Sequence, residues 1–113
     1  MKALNARNRE ILADDVELAV RVTERMKGLL GKKKFFKGKS LWIKPCKSIH
    51  TIGMKFPIDV IFLDKNNIII NIKNHFLPNR ISSLFLNASS VLELPSGTLV
   101  ATDTRIGDQI KFV

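Results

Sequence analysis

With Cys46 as its single cysteine, this sequence cannot form an internal disulfide, and its cysteine usage gives no argument for an oxidising compartment. Long hydrophobic runs are missing as well. The most apolar stretches, IDVIFLD and NIIINI, fall far short of the roughly 20 residues that a membrane helix needs. The opening MKALNARNRE holds no apolar segment of signal-peptide length, so the expectation is a cytoplasmic protein with no membrane span, or an extracytoplasmic one if a leader has been removed. Internal repeats, low-complexity tracts and long linkers are also lacking. The 113 residues therefore read as one domain, 1–113, of ordinary globular composition at 45% hydrophobic and 26% charged. Folding at this size buries about two-thirds of the unfolded surface, enough for one core without cross-links.

Acidic residues are nearly absent from residues 21–47, where Glu24 is the only one against ten lysines and arginines. This segment holds the whole net charge of +9, since nine basic and nine acidic side chains remain elsewhere. Lys32, Lys33, Lys34, Lys37 and Lys39 form its densest part. A basic segment on a neutral domain is either a solvated loop or a contact surface for nucleic acid or another anionic partner. Phe35 and Phe36 lie within it and offer faces on which bases can stack.

Short strands dominate what is present. KALN, DVELA, SLWIKP, HTIGMKF, IDVIFLD, NIIINIKNHF, SVLELP and QIKFV carry strand-forming residues between turn signals, with Lys65-Asn66-Asn67 as a hairpin turn. RVTERMKGLLGKK predicts one helix, with Val22, Met26, Leu29 and Leu30 as its apolar stripe and Gly28 marking either close packing or an early end. The expected class is mainly β (α+β): a compact antiparallel β-barrel-like or sandwich domain of about seven or eight short strands with one short helix.

PCKSIHTIGMKFPIDVIFLD, residues 45–64, gathers the cysteine, His50 and Asp59. Read as a strand, IHTIGMKF places His50, Ile52, Met54 and Phe56 on one face, which turns the imidazole inward. Asp59 shares a face with Ile61 and Leu63, an odd place for a charge unless something pairs it. Two readings stand for these groups. In one they are structural, through a His50–Asp59 hydrogen bond or through Asp59 accepting backbone N–H groups at the bend set by Pro57. In the other they line a pocket. Glu93, between Leu92 and Leu94, is expected to face solvent or cap the following turn, and Trp42 to be core or pocket wall. Cys46 beside Lys44 and Lys47 is a weak candidate thiol nucleophile. One cysteine and two histidines without a repeated ligand pair give no zinc pattern, and no metal or cofactor is assigned.

The ordered motifs Arg25-x-x-Gly28-Leu29-Leu30, Ile49-His50 with Met54, Pro57 with Asp59, Leu92 to Gly97, and Gly107-Asp108 resemble the domain of unknown function 192 (uncharacterised protein family 0127) from about residue 16 to the C-terminus. Leu30 stands where the family usually has methionine. The resemblance implies a small β-rich fold of bacterial and archaeal distribution, often behind a secretion or anchoring segment, and brings no activity with it.

The functional reading is a small binding or accessory domain without enzymatic activity, its pocket formed around His50, Thr51, Met54, Asp59 and Trp42 for a small molecule or a partner protein. The first alternative is nucleic-acid or anionic-partner binding through residues 21–47. The second is a thiol-dependent enzyme using Cys46.

Overall fold

Strands β5 (Ile58–Leu63) and β6 (Ile69–Phe76) form the expected hairpin in the computed structural model, which describes residues 1–113. Asp64 closes their turn, its Oδ1 accepting the N–H groups of Asn66 and Ile68 at 2.8 and 3.0 Å. The other elements are β1 (Ala3–Asn5), β2 (Ile11–Ala13), β3 (Asp15–Ala19), α1 (Val22–Lys27), β4 (Lys39–Ile43), β7 (Ser90–Pro95), α2 (Thr98–Ala101) and β8 (Ile110–Phe112).

These strands form two sheets. The larger has the order β3-β4-β7-β5-β6 and the smaller β2-β1-β8. Every ladder is antiparallel except β3–β4, which is parallel because the chain between them crosses over through α1 and the lysine loop. The eight-strand, β-rich expectation therefore holds; the sheets pack as layers and do not close into a barrel.

The larger sheet is covered on both faces. On one, Trp42, Ile61, Leu63, Leu92 and Leu94 pack with Ala3, Leu12, Ala13 and Ile110 of the smaller sheet. On the other, Leu41, Ile43, Ile58, Val60, Phe62 and Val91 lie beneath Leu29, Ile49 and Ala88 from the connections. All six residues of β5 are buried, which is why IDVIFL lacks polar alternation.

Three local expectations need correction. HTIGMKF is not a strand: only His50 forms an isolated bridge, with Ile81, and the chain then turns at Ile52-Gly53. The helix stops at Gly28, whose φ of 49° an L side chain adopts only with strain, so the early end is the one the structure uses. None of the six residues of α1 is buried, and within the expected stripe only Leu29, beyond the helix, reaches the core. A second short helix, α2, follows Gly97.

Candidate functional site

Asp59 projects from β5 toward the inter-sheet core and is 1% exposed. Its carboxylate is fully engaged with main chain. Oδ1 accepts the His75 N–H at 2.9 Å, while Oδ2 accepts those of Gly97 at 3.1 Å and Leu99 at 2.9 Å. One side chain thus fixes the end of β6, where His75 has a left-handed φ of 51°, and the entry to α2. This is the backbone-binding arrangement, reached through a bend. The histidine it meets is His75, by its main chain; the expected inward-facing His50 is not there.

His50 is exposed, and its Nδ1 accepts the Ile52 N–H at 3.2 Å. Thr51 is buried in its place. Thr51 Oγ1 donates to the Leu77 carbonyl at 2.6 Å and accepts the Arg80 N–H at 3.0 Å, tying this turn to residues 77–80. The alternation holds over residues 49–52 but in the opposite phase, so Ile49 and Thr51 face inward and His50 and Ile52 outward.

Trp42 is also committed to the fold. Its Nε1 donates to Ser90 Oγ at 2.9 Å, its ring stacks on Phe112 at 3.6 Å, and Lys44 Nζ lies 4.2 Å above it.

Of the expected pocket residues, the structure brings together His50 and Met54, and it adds others. A cavity of about 300 Å³ lies over the second face of the larger sheet. Val22, Arg25 and Met26 of α1 and the following Leu29 and Leu30 form one wall. Cys46, Ser48, Ile49, His50, Ile52 and Met54 form the other, and Ile43 and Glu93 belong to the sheet beneath. Thr51, Asp59 and Trp42 do not line it.

Glu93 is the unexpected member. It is 4% exposed and sits mid-strand in β7, paired laterally with Leu41 of β4 and Val60 of β5. Its Oε2 has no hydrogen-bond partner. Burial alone pushes this carboxyl up to about 8, so it is mostly protonated at neutral pH. The solvent-facing expectation fails because β7 is central in a sheet covered on both sides. Alternation with Leu92 and Leu94 carries Glu93 into the opposite core. A signal for this was present in IDVIFL: an unalternating neighbour implies two covered faces, and a polar residue on the adjoining strand is then buried whichever way it points.

Cys46 lies in the cavity wall, with Sγ donating to the Ser48 carbonyl at 3.0 Å. Burial pushes its thiol up and the Glu93 carboxyl adds to the effect, the opposite of what activates a nucleophile. No group of three His, Cys, Asp or Glu side chains converges as a metal site.

The basic segment is partly neutralised. Lys39 pairs with Asp15, and Lys32 lies 3.9 Å from Glu17. Arg25 donates to the carbonyls of Val20 and Pro45, and Lys47 to those of Leu86 and Ala88. A groove of about 790 Å³ runs along the lysine loop, with Asp15 and Glu17 in its wall. Phe35 packs against Phe56 at 6.0 Å, and Phe36 is left exposed. No helix is long and apolar enough to cross a membrane.

Fold and site define a small two-sheet β-rich domain with a cavity above a buried, unpaired carboxyl. The family model described as "DUF192: Uncharacterized ACR, COG1430" matches residues 3–112, and the chain belongs to that family, over a span that begins well before residue 16. A protein of unknown function from Novosphingobium aromaticivorans superimposes with a TM-score of 0.84 at 19% identity, over 98% of this chain and 82% of that one. A Sinorhizobium meliloti protein described as a "putative transcription regulator" gives a TM-score of 0.81 at 22% identity, over 97% and 89%. At such identities these likenesses show a shared fold. No match was found among curated proteins.

Two of the family signatures meet in space, since the Asp59 carboxylate accepts the Gly97 N–H. A third is also structural. Asp108 Oδ1 receives Arg7 Nε at 2.8 Å and Oδ2 receives Asn5 Nδ2 at 2.9 Å, clasping the N-terminal strand to the last turn.

Proposed function

We propose that this protein is a non-enzymatic binding domain whose ligand seats in the cavity between α1 and residues 46–54, against Glu93. One observation carries the reading: the Glu93 carboxyl is almost fully buried at the cavity and Oε2 has no partner. Leaving a buried polar group unsatisfied costs about 1–3 kcal/mol, so the group weakens the fold it sits in. Residues with that property recur where a ligand supplies the missing partner. The cavity edge fits this role. Val22, Met26, Leu30 and Ile52 are apolar, exposed and held by few core contacts. Of the expected set, His50 and Met54 line the cavity; Thr51 ties the adjoining turn to residues 77–80, and Asp59 and Trp42 lie on the other face of the sheet.

Replacement of Glu93 by methionine tests the reading. If the carboxyl is held for a ligand, the variant is more stable than the parent in urea unfolding. If the variant is less stable, Glu93 is part of the architecture and the cavity is not a site.

A second reading rests on the free part of the lysine loop. Lys33, Lys34 and Lys37 have no acidic partner and stand beside exposed Phe36, which suits an anionic partner such as single-stranded nucleic acid. Titration with single-stranded DNA and RNA at two salt concentrations decides it: binding must weaken steeply as salt rises, and no binding at low salt ends the reading.

A further inference from the structure

We infer that the cavity over Glu93 accepts an alkylammonium group, either a free primary amine or the side chain of a lysine in a polypeptide. This rests on the cavity being a binding site and names what it binds. Once the carboxyl is ionised, the missing partner of Glu93 Oε2 is a hydrogen-bond donor. Arg25, the cation of α1 in the cavity wall, does not supply it, because its guanidinium donates to the carbonyls of Val20 and Pro45 at 3.2 and 3.1 Å.

The rest of the lining suits an aliphatic stem. Leu29, Ile43, Ile49 and Met54 surround the space, and Met26, 73% exposed, stands at the edge. A volume of about 300 Å³ equals on the order of ten water volumes, ample for a six-carbon chain with its amine. An ammonium would meet the carboxylate away from water, where a charge-assisted hydrogen bond is strongest. An anion can only accept from the protonated carboxyl and is repelled once Glu93 ionises, so its affinity falls with pH where that of an amine rises. A neutral hydroxyl makes only the weaker, uncharged bond.

Occupancy is coupled to a proton. Burial holds the empty carboxyl near 8, so an ammonium arriving at neutral pH displaces the Glu93 proton. The charged or titratable groups of the lining are Arg25 and Lys27 from α1, and Cys46 and His50 from the facing loop; the cross-strand neighbours Leu41 and Val60 carry none. Affinity for an amine therefore rises with pH up to about 8, by at most about tenfold per unit, and then levels off.

The three methionines supply a built-in reporter, because Met26 and Met54 line the cavity and Met1 does not. With methyl-labelled methionine, hexylamine is expected to shift the Met26 and Met54 signals and leave Met1 in place. Its affinity should exceed those of 1-hexanol and hexanoate by roughly tenfold or more. Glu93→Gln should erase the preference, and His50→Gln should keep the pH profile. A peptide carrying a central lysine separates the two sources. If it competes with hexylamine and its Nε-acetylated form does not, a polypeptide side chain can enter. If it fails to compete, the ligand is a free amine. Equal affinity for the alcohol or the acid, a preference that survives Glu93→Gln, or no shift with millimolar hexylamine would each overturn the alkylammonium assignment. The Glu93→Met stability result is independent of all three and judges the cavity itself.

Discussion

Asp59 and Glu93 are carboxyls on adjoining strands of one sheet, one register step apart, since Asp59 pairs with Leu94 and Val60 with Glu93. Both are almost completely buried, and they point to opposite faces. Asp59 accepts three main-chain N–H groups, whereas Glu93 Oε2 accepts none. Burial alone therefore does not distinguish an acid committed to the fold from one left without partners; the count of satisfied lone pairs does. The face of Asp59 is sealed by the smaller sheet. At Glu93 the opposite face lies under α1, none of whose residues is buried, and residues 46–54.

The sharpest way to break the comparison is Asp59→Ala, which removes the acceptor of three main-chain N–H groups at once, that of Leu99 buried and those of His75 and Gly97 part-buried. A buried unsatisfied group costs about 1–3 kcal/mol and a part-buried one less, so a loss of roughly 3 kcal/mol or more is expected, a large share of a small domain's stability. Urea denaturation measures it, and a loss below about 1 kcal/mol would mean that the carboxylate is dispensable. Asp59→Asn keeps one acceptor oxygen and should lose less.

Glu93 predicts the opposite behaviour, and in pH as well as in substitution. Its folded-state value near 8 lies above the ordinary carboxyl value of 4.5, so the folded chain holds this proton more tightly than the unfolded chain. Stability from this group is complete below pH 4.5 and is lost as pH rises toward 8. By linkage the loss between pH 5 and 8 is at most about 4 kcal/mol, and Glu93→Gln removes it. Glu93→Met, measured at pH 8, should gain about 1–3 kcal/mol. A flat parental profile would show that the carboxyl finds a partner in solution.

How far the sequence disclosed this pair is a matter of which rule each residue obeys. The strands IDVIFL and SVLELP and the hairpin at Lys65–Asn67 follow from local composition and stand where expected, whereas the helix expected over RVTERMKGLLGKK stops at Gly28. Asp59 was legible as a charge requiring partners, because Pro57 and an apolar run bracket it. The partners were not legible, since His75, Gly97 and Leu99 lie far along the chain and offer only main chain, which every residue possesses. His50 misled because alternation separates two faces without saying which of them is covered. Glu93 misled because alternation gives a direction but not what covers that direction; only the sheet order, with β7 between β4 and β5, puts it beneath a roof.

A third acid sharpens the contrast at the low end of the pH scale. Burial would raise Asp108, yet hydrogen bonds from Arg7, Asn5 and the Arg105 N–H outweigh it and hold the carboxyl at about 2. Here the folded value lies below the ordinary one, so the contribution is present above pH 3.8 and disappears as pH falls toward 2. Asp108→Asn keeps the shape but loses the charge-assisted bond from Arg7. It should therefore flatten the acid limb of the stability curve while leaving the limb between pH 5 and 8 unchanged. If Asp108→Asn altered the upper limb, the two acids would be coupled, and the separation of a clasped end from an open face would fail.

The smallest expected effect lies outside both sites. Lys33, Lys34 and Lys37 make no ion pair, and exposed charges of this kind contribute little to folding. Replacing all three by glutamine should change stability by less than about 0.5 kcal/mol. Because Lys32 and Lys39 stay beside Glu17 and Asp15, the substitution removes only the charge left free for a partner. Affinity for any anionic polymer must then fall together with the salt sensitivity of binding, whereas the methionine shifts caused by hexylamine must not. An anionic polymer that binds this variant as well as the parent would have to reach the domain by another face, and the lysine loop would be a solvated connection between β3 and β4.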